Sequence, residues 1–310
     1  MLAIAGFTTN YPVDLTNPVF SPQSNTPGVP GGFGRVYTKA TFLQIAPTVS
    51  LAVTDQLSIG FGPTLTLGEV IVDPLVFAAP DDADGSGAPR YPSGRGTRFH
   101  FGGGAQLGVY YKTYSCWNFG ASIKSPQWME DIHYKTEDEL GRPRGGSLKL
   151  DLPMIVSVGT SYTGFENILV AVDVNYYDYK NTDGFKGQGF NPDGSVAGLG
   201  WESIFSVATG VQYQVNEGLS LRLGYTFNEN PTPSSETLIA AATPLFYQHQ
   251  LHVGASKRLG CNLWVHLAYT HILEAEITGP IVSPAGIVPG SSVTNKESVH
   301  LLSLGATVHY

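Results

Sequence analysis

From residue 204 to 227 the chain reads IFSVATGVQYQV, then NEG, then LSLRLGYTF, and apolar residues recur at every second position. Leu219, Leu221, Leu223, Tyr225 and Phe227 alternate with Ser220, Arg222, Gly224 and Thr226. Before the turn, Phe205, Val207, Val211, Tyr213 and Val215 stand against Ser206, Gly210, Gln212 and Gln214. A period of two sends the two sets to opposite faces of an extended strand. Asn216-Glu217-Gly218 supplies the tight turn between the halves. The unit is a β-hairpin with one oily face and one small or polar face.

The same pattern predicts strands at 2–9, 39–53, 57–70, 98–111, 117–124, 147–163, 168–179, 245–258, 263–273 and 297–310, which with the opening hairpin makes about 12. Long polar loops are expected at 10–35, 73–96, 127–146, 181–200, 228–244 and 274–296, and they alternate strictly with short turns. A soluble sandwich has no reason to sort its connections by length. A membrane barrel does, with short turns on the periplasmic side and long loops outside. No second layer remains in the sequence to cover a dozen oily strands, so their apolar faces must meet lipid. Closure into a barrel also removes the edges that would invite aggregation. The expected fold is an all-β transmembrane antiparallel barrel, one domain over residues 1–310.

Composition agrees. Charged residues are 14% of the chain, against roughly 25% in soluble domains. No run reaches the ~20 consecutive apolar residues of a membrane helix. A net charge of −8 argues against nucleic acid as a partner. The segment after Met1 lacks a basic region, an apolar core and a small-residue cleavage site, so the chain reads as a fragment whose signal peptide lies upstream.

Parity also nominates residues that could carry chemistry. Arg222, Lys149 and Lys124 should project into the lumen, where a cation could meet a cargo carboxylate. The alternative is a structural ion pair with Asp151 or Asp173, which is the commoner outcome for such groups. His100, His252 and His266 also point inward, without metal-ligand spacing, and no cofactor is implied. Cys116 and Cys261 fall in short turns at one rim and read as unpaired thiols. Trp117, Tyr162, Tyr213, Tyr269 and Tyr310 sit at strand ends as interfacial aromatics. There is no Gly-x-Ser-x-Gly elbow, and the histidines face away from lipid, so an enzyme is not expected. A general porin would need clustered lumen charges, which are sparse here. That reading, and a structural or adhesin barrel, stay open as alternatives.

Several stretches resemble the FadL/TodX-type outer-membrane transporters of long-chain fatty acids and other hydrophobic compounds. They are LKLDLPMIVSVGTSY at 148–162, WESIFSVATGVQYQVNEGLSLRLGYTFNENPTP at 201–233, the hairpin at 247–269 and the ending LLSLGATVHY. IAGFTTNYPVDL and LQIAPTVSLAVTDQLSIGFG upstream are similar but looser. The resemblance implies a monomer in the bacterial outer membrane, a hydrophobic ligand and passive uptake. It also implies a 14-stranded barrel, of which the first two strands and an N-terminal hatch with an Asn-Pro-Ala motif would precede Met1. Asn17-Pro18-Val19 is not that motif. The family's lateral opening lies near a kinked early strand, whose counterpart would be residues 2–10, with Gly6 and Pro12 marking the irregularity. The final strand, ending on Tyr310, would be read by the barrel-assembly machinery.

Overall fold

The period-two segments become strands that each pair with their neighbours in the chain. In the computed structural model the described residues are 36–85, 87, 89–138, 140–260 and 262–308, with 2–15 as backbone. The strands are β1 (Leu2–Leu15), β2 (Val36–Ala52), β3 (Leu57–Asp73), β4 (His100–Lys112), β5 (Trp117–Lys124), β6 (Trp128–Met129), β7 (Ile132–Glu137), β8 (Pro143–Leu148) and β9 (Ile155–Phe165). They continue as β10 (Ile168–Tyr177), β11 (Ile204–Asn216), β12 (Leu219–Asn228), β13 (His249–Leu259), β14 (Leu263–Gly279), β15 (Val282–Ser283), β16 (Gly286–Ile287) and β17 (Val293–Val308). The wall runs in the order β1-β2-β3-β4-β5-β9-β10-β11-β12-β13-β14-β17, twelve antiparallel strands, and β1 and β17 end the path.

The register sorts the side chains as the alternation predicts. Leu221 and Leu223 lie opposite Tyr213 and Val211 on the outer face, while Arg222 lies opposite Gln212 on the inner. Outer residues stay uncovered along the wall: Leu223 is 62% exposed and Leu304 77%. So large a contiguous apolar surface fits a lipid surround and not water. No helix among the described residues is long and apolar enough to cross a membrane.

The long connections fold back over the lumen as a plug. One cluster joins Phe42, Val70 and Val72 of the wall to Leu75, Met129, Ile132, Tyr134 and Leu148. A second gathers Phe185, Val196, Leu199, Trp201 and Ile239. Trp201 meets Tyr179 edge-on and Phe185 at a tilt, both at 5.1 Å between ring centres. Tyr134 donates its hydroxyl hydrogen to the Val70 carbonyl at 2.8 Å, tying plug to wall.

Several boundaries differ from the sequence reading, each for a local reason. The expected loop at 127–146 contains the β7–β8 hairpin, whose Ile132, Tyr134 and Thr136 alternate inward. The strand expected from residue 147 begins at Ile155, so Lys149 belongs to the plug and not to the lumen wall. β1 runs through residues 10–15, which were expected in a loop. The 228–244 connection carries one helical turn, α1 (Thr237–Ala240), with all four residues buried.

Candidate functional site

Two prolines break the wall. Pro47 and Pro63 stand eight residues either side of Asp55, so the β2–β3 hairpin brings them face to face. The ladder runs to Ile45↔Leu65, stops, and resumes in the same register at Val49↔Phe61. In an antiparallel narrow pair two opposed residues exchange both N–H···O bonds, and proline has no N–H to give. A Cβ on Gly62 would lie 1.9 Å from the Pro47 carbonyl oxygen, so β2 bends over the lumen face of β3 where only glycine admits it. The Thr48 hydroxyl donates to the Ala46 carbonyl at 3.2 Å. Gln106 of β4 reaches over Gly62 to donate to the Thr48 Oγ1 at 2.6 Å. Ile45, Val49, Phe61 and Leu65, all exposed, frame the break on the lipid side.

On the lumen side the break borders a cavity of about 790 Å³. Its lining mixes polar side chains such as Thr48, Gln106 and Asp173 with apolar residues such as Ile123, Ile155 and Val158. Above it lies a buried polar layer. Gln44 donates through Nε2 to the Thr66 hydroxyl at 3.0 Å. Thr64 and Thr66 both donate to the Gln127 Oε1, at 2.6 and 3.3 Å. Gln127 donates in turn to the Ser125 carbonyl at 3.0 Å. Glycines on the wall make room for this inturned segment: a Cβ at Gly104 would lie 2.6 Å from both the Gln127 Nε2 and the Pro126 carbonyl oxygen.

The three nominated cations end in different places. Lys124 lines the cavity and donates to the Gln44 Oε1. Arg222 faces the lumen, donating to the Gln212 Oε1 at 2.8 Å and the Ser256 hydroxyl at 2.5 Å. Among the described residues no carboxylate lies within ion-pair reach of it. Lys149 sits in the plug, 3.3 Å from Asp151 and 3.8 Å from Asp131, so its structural pairing is realised away from the lumen. His266 bridges Ser256 and Thr307 at 2.7 and 3.0 Å, and His252 bridges Thr226 and Thr270 at 3.1 and 2.9 Å. His100 is fully buried and accepts the His133 N–H through Nε2 at 3.2 Å.

Gly6 and Pro12 pair with Ile45 and Lys39 in an unbroken β1–β2 register, and the irregularity falls one seam further on. Cys116 is exposed and free. Cys261 and Tyr310 lie outside the described residues. Tyr162 meets Trp117 at a tilt, 4.8 Å between ring centres, and Phe165 edge-on at 5.1 Å, as an interfacial aromatic cluster should. Sequence reasoning passed over the proline pair, although its symmetry about Asp55 was there to be seen. It also passed over Gln127, which carries no local signal of burial.

Two plug loops are joined by a buried acid. Glu236 is 3% exposed and accepts the Gly189 N–H at 3.2 Å. Burial raises its pKa, the two hydrogen bonds opposing this only in part. The folded chain therefore holds the proton more tightly than the unfolded one. That stability is fully present below the ordinary Glu pKa of about 4.3 and is lost as pH rises through the raised folded value. Amide exchange at Gly189, corrected for its intrinsic rate, is expected to be slower at low pH than at high. Glu236→Gln should flatten the dependence, and an unchanged slope would assign it to other groups.

The fold matches the Pseudomonas putida toluene transporter TodX with TM-score 0.66 at 13% identity, over 99% of this chain and 78% of that one. A Pseudomonas aeruginosa FadL homologue matches with TM-score 0.66 at 15% identity, over 99% and 75%. The Ralstonia pickettii toluene transporter TbuX matches with TM-score 0.66 at 12% identity, over 100% and 78%. No curated protein sequence matches. The family model described as outer membrane protein transport protein (OMPP1/FadL/TodX) matches residues 23–310. With that match over most of its length, on a barrel wall of the same fold, the chain belongs to the OMPP1/FadL/TodX family and is a transporter of the bacterial outer membrane, not an enzyme.

Proposed function

We propose that the protein takes up hydrophobic compounds passively, long-chain fatty acids foremost, and releases them sideways through the β2–β3 break into the bilayer. The interrupted ladder at Pro47 and Pro63 supports this reading, because it lies between the lumen cavity and a lipid-facing apolar frame. An alkyl chain gains about 0.8 kcal/mol per methylene on leaving a wet surface for hydrocarbon. The bilayer beyond the break offers that gain along the whole chain, whereas the cavity lining mixes polar with apolar residues. Lys124, and Arg222 across the lumen, would face a cargo carboxylate, whereas Lys149 is held by two aspartates. The family match supports transport, and relatives named as toluene transporters support an oily cargo. The protein would act as a monomer, inserted by assembly machinery that reads its last strand.

The test uses cells deprived of their own fatty-acid transporter and given this one. Labelled oleate should enter several-fold faster than in empty-vector cells, while a labelled trisaccharide should not. Trisaccharide entry without oleate entry would replace this reading with a general porin.

A further inference from the structure

Between the plug and the wall break lies a layer whose chemistry neither end requires. Counting up from the Asp55 turn, the lumen-facing positions on β2 and β3 pass through Ser50, Ser58, Gly60 and Thr48, then Thr64, Gln44 and Thr66, then Phe42 and Val70. The first group borders the cavity and the last packs against the apolar plug. The middle group, with Gln127, is buried and hydrogen-bonded within itself. Cargo leaving the plug for the break on this side of the barrel must part that layer.

Parting it has different consequences for different cargo. Two donors, the Thr64 and Thr66 hydroxyls, converge on the Gln127 Oε1, and the Lys124 ammonium donates to the Gln44 Oε1. The amide oxygens occupy positions that carboxylate oxygens could take. A bare hydrocarbon that displaces them leaves buried donors unpaired, and each such group lowers the population of the open state on the order of tenfold. A head group with acceptor oxygens replaces what it displaces. Gln127 keeps its bond to the Ser125 carbonyl.

Building on the transport reading above, we infer that Thr64, Thr66 and Gln127 form a selectivity seal that passes cargo with a hydrogen-bonding head group and holds back bare hydrocarbon. The probes are labelled palmitate and hexadecane, of equal carbon number, with initial entry rates corrected for empty-vector cells. The wild-type protein should favour palmitate by about tenfold or more. Thr64→Val/Thr66→Val keeps the side-chain shapes and removes both donors, so hexadecane entry should rise and the preference should shrink to about twofold or less. Thr64→Ser/Thr66→Ser keeps the hydroxyls and should keep the wild-type ratio. Should the valine pair fail to assemble, as judged by heat-modifiable gel mobility, Thr64→Val alone removes one of the two donors and should shrink the preference part of the way.

An unchanged ratio in an assembled valine variant overturns the inference. So does a wild-type protein that moves both probes equally, which leaves transport itself standing. Entry of neither probe with the wild-type protein removes the transport reading, and the seal falls with it.

Discussion

Valine at both Pro47 and Pro63 is expected to cut oleate uptake by about tenfold or more, the scale set by closing a route with 1.4 kcal/mol or more of restored pairing. Two opposed prolines remove both donors from one narrow pair. The Pro47 carbonyl already turns toward β3, and the N–H of the same residue points the same way in an antiparallel strand. Valine therefore supplies two missing donors, each worth about 0.5–1.5 kcal/mol. The seam should close and the wall should become more stable. The check is uptake in cells alongside the temperature at which the folded band is lost on a semi-native gel. Slower uptake with a higher transition supports exit at this seam. Unchanged uptake with a higher transition would mean that cargo leaves elsewhere.

Trp201→Ala should release the plug without dissolving the wall. Trp201 is 4% exposed and packs on Tyr179 and Phe185. Truncating a buried tryptophan costs about 3–5 kcal/mol, which is large for a set of loops and small against twelve paired strands. The expected result is rapid proteolysis between residues 178 and 203 while the heat-modifiable barrel band persists. Loss of the barrel band together with the loop would show that plug and wall form one cooperative unit. Such an outcome would also tie gating to global stability.

The wall was legible in the sequence because its rule is short-ranged. Leu219 to Phe227 alternates without exception, and every second connection along the wall is a turn of a few residues, so hairpin pairing follows from chain order. The plug was not legible for the converse reason. Ile132, Tyr134 and Thr136 alternate too, but over six residues set among charges, too short a run to stand out from a polar loop. Lys149 shows how the parity argument fails. It holds only inside a strand, and the strand starts six residues later at Ile155. Gly6 and Pro12 drew attention because irregular residues mark irregular strands, yet the β1–β2 register passes through both. The break needed a relation between two residues, Pro47 and Pro63, that neither reveals singly.

The lengths of the plug's bonds along the chain bear on how the protein is made. The wall strands follow one another along the sheet in chain order, so hairpins can be added one after another as they emerge. The plug depends on closures of another order: the Thr38 hydroxyl donates to the Ala242 carbonyl across 204 residues, and Asn295 reaches back 58 to Thr237. Contacts of that span cost less chain entropy to form once the sheet holds both ends. The order favoured by chain entropy is therefore tube first and stopper second, and a copy assembled in that order passes through a stage in which its lumen stands open.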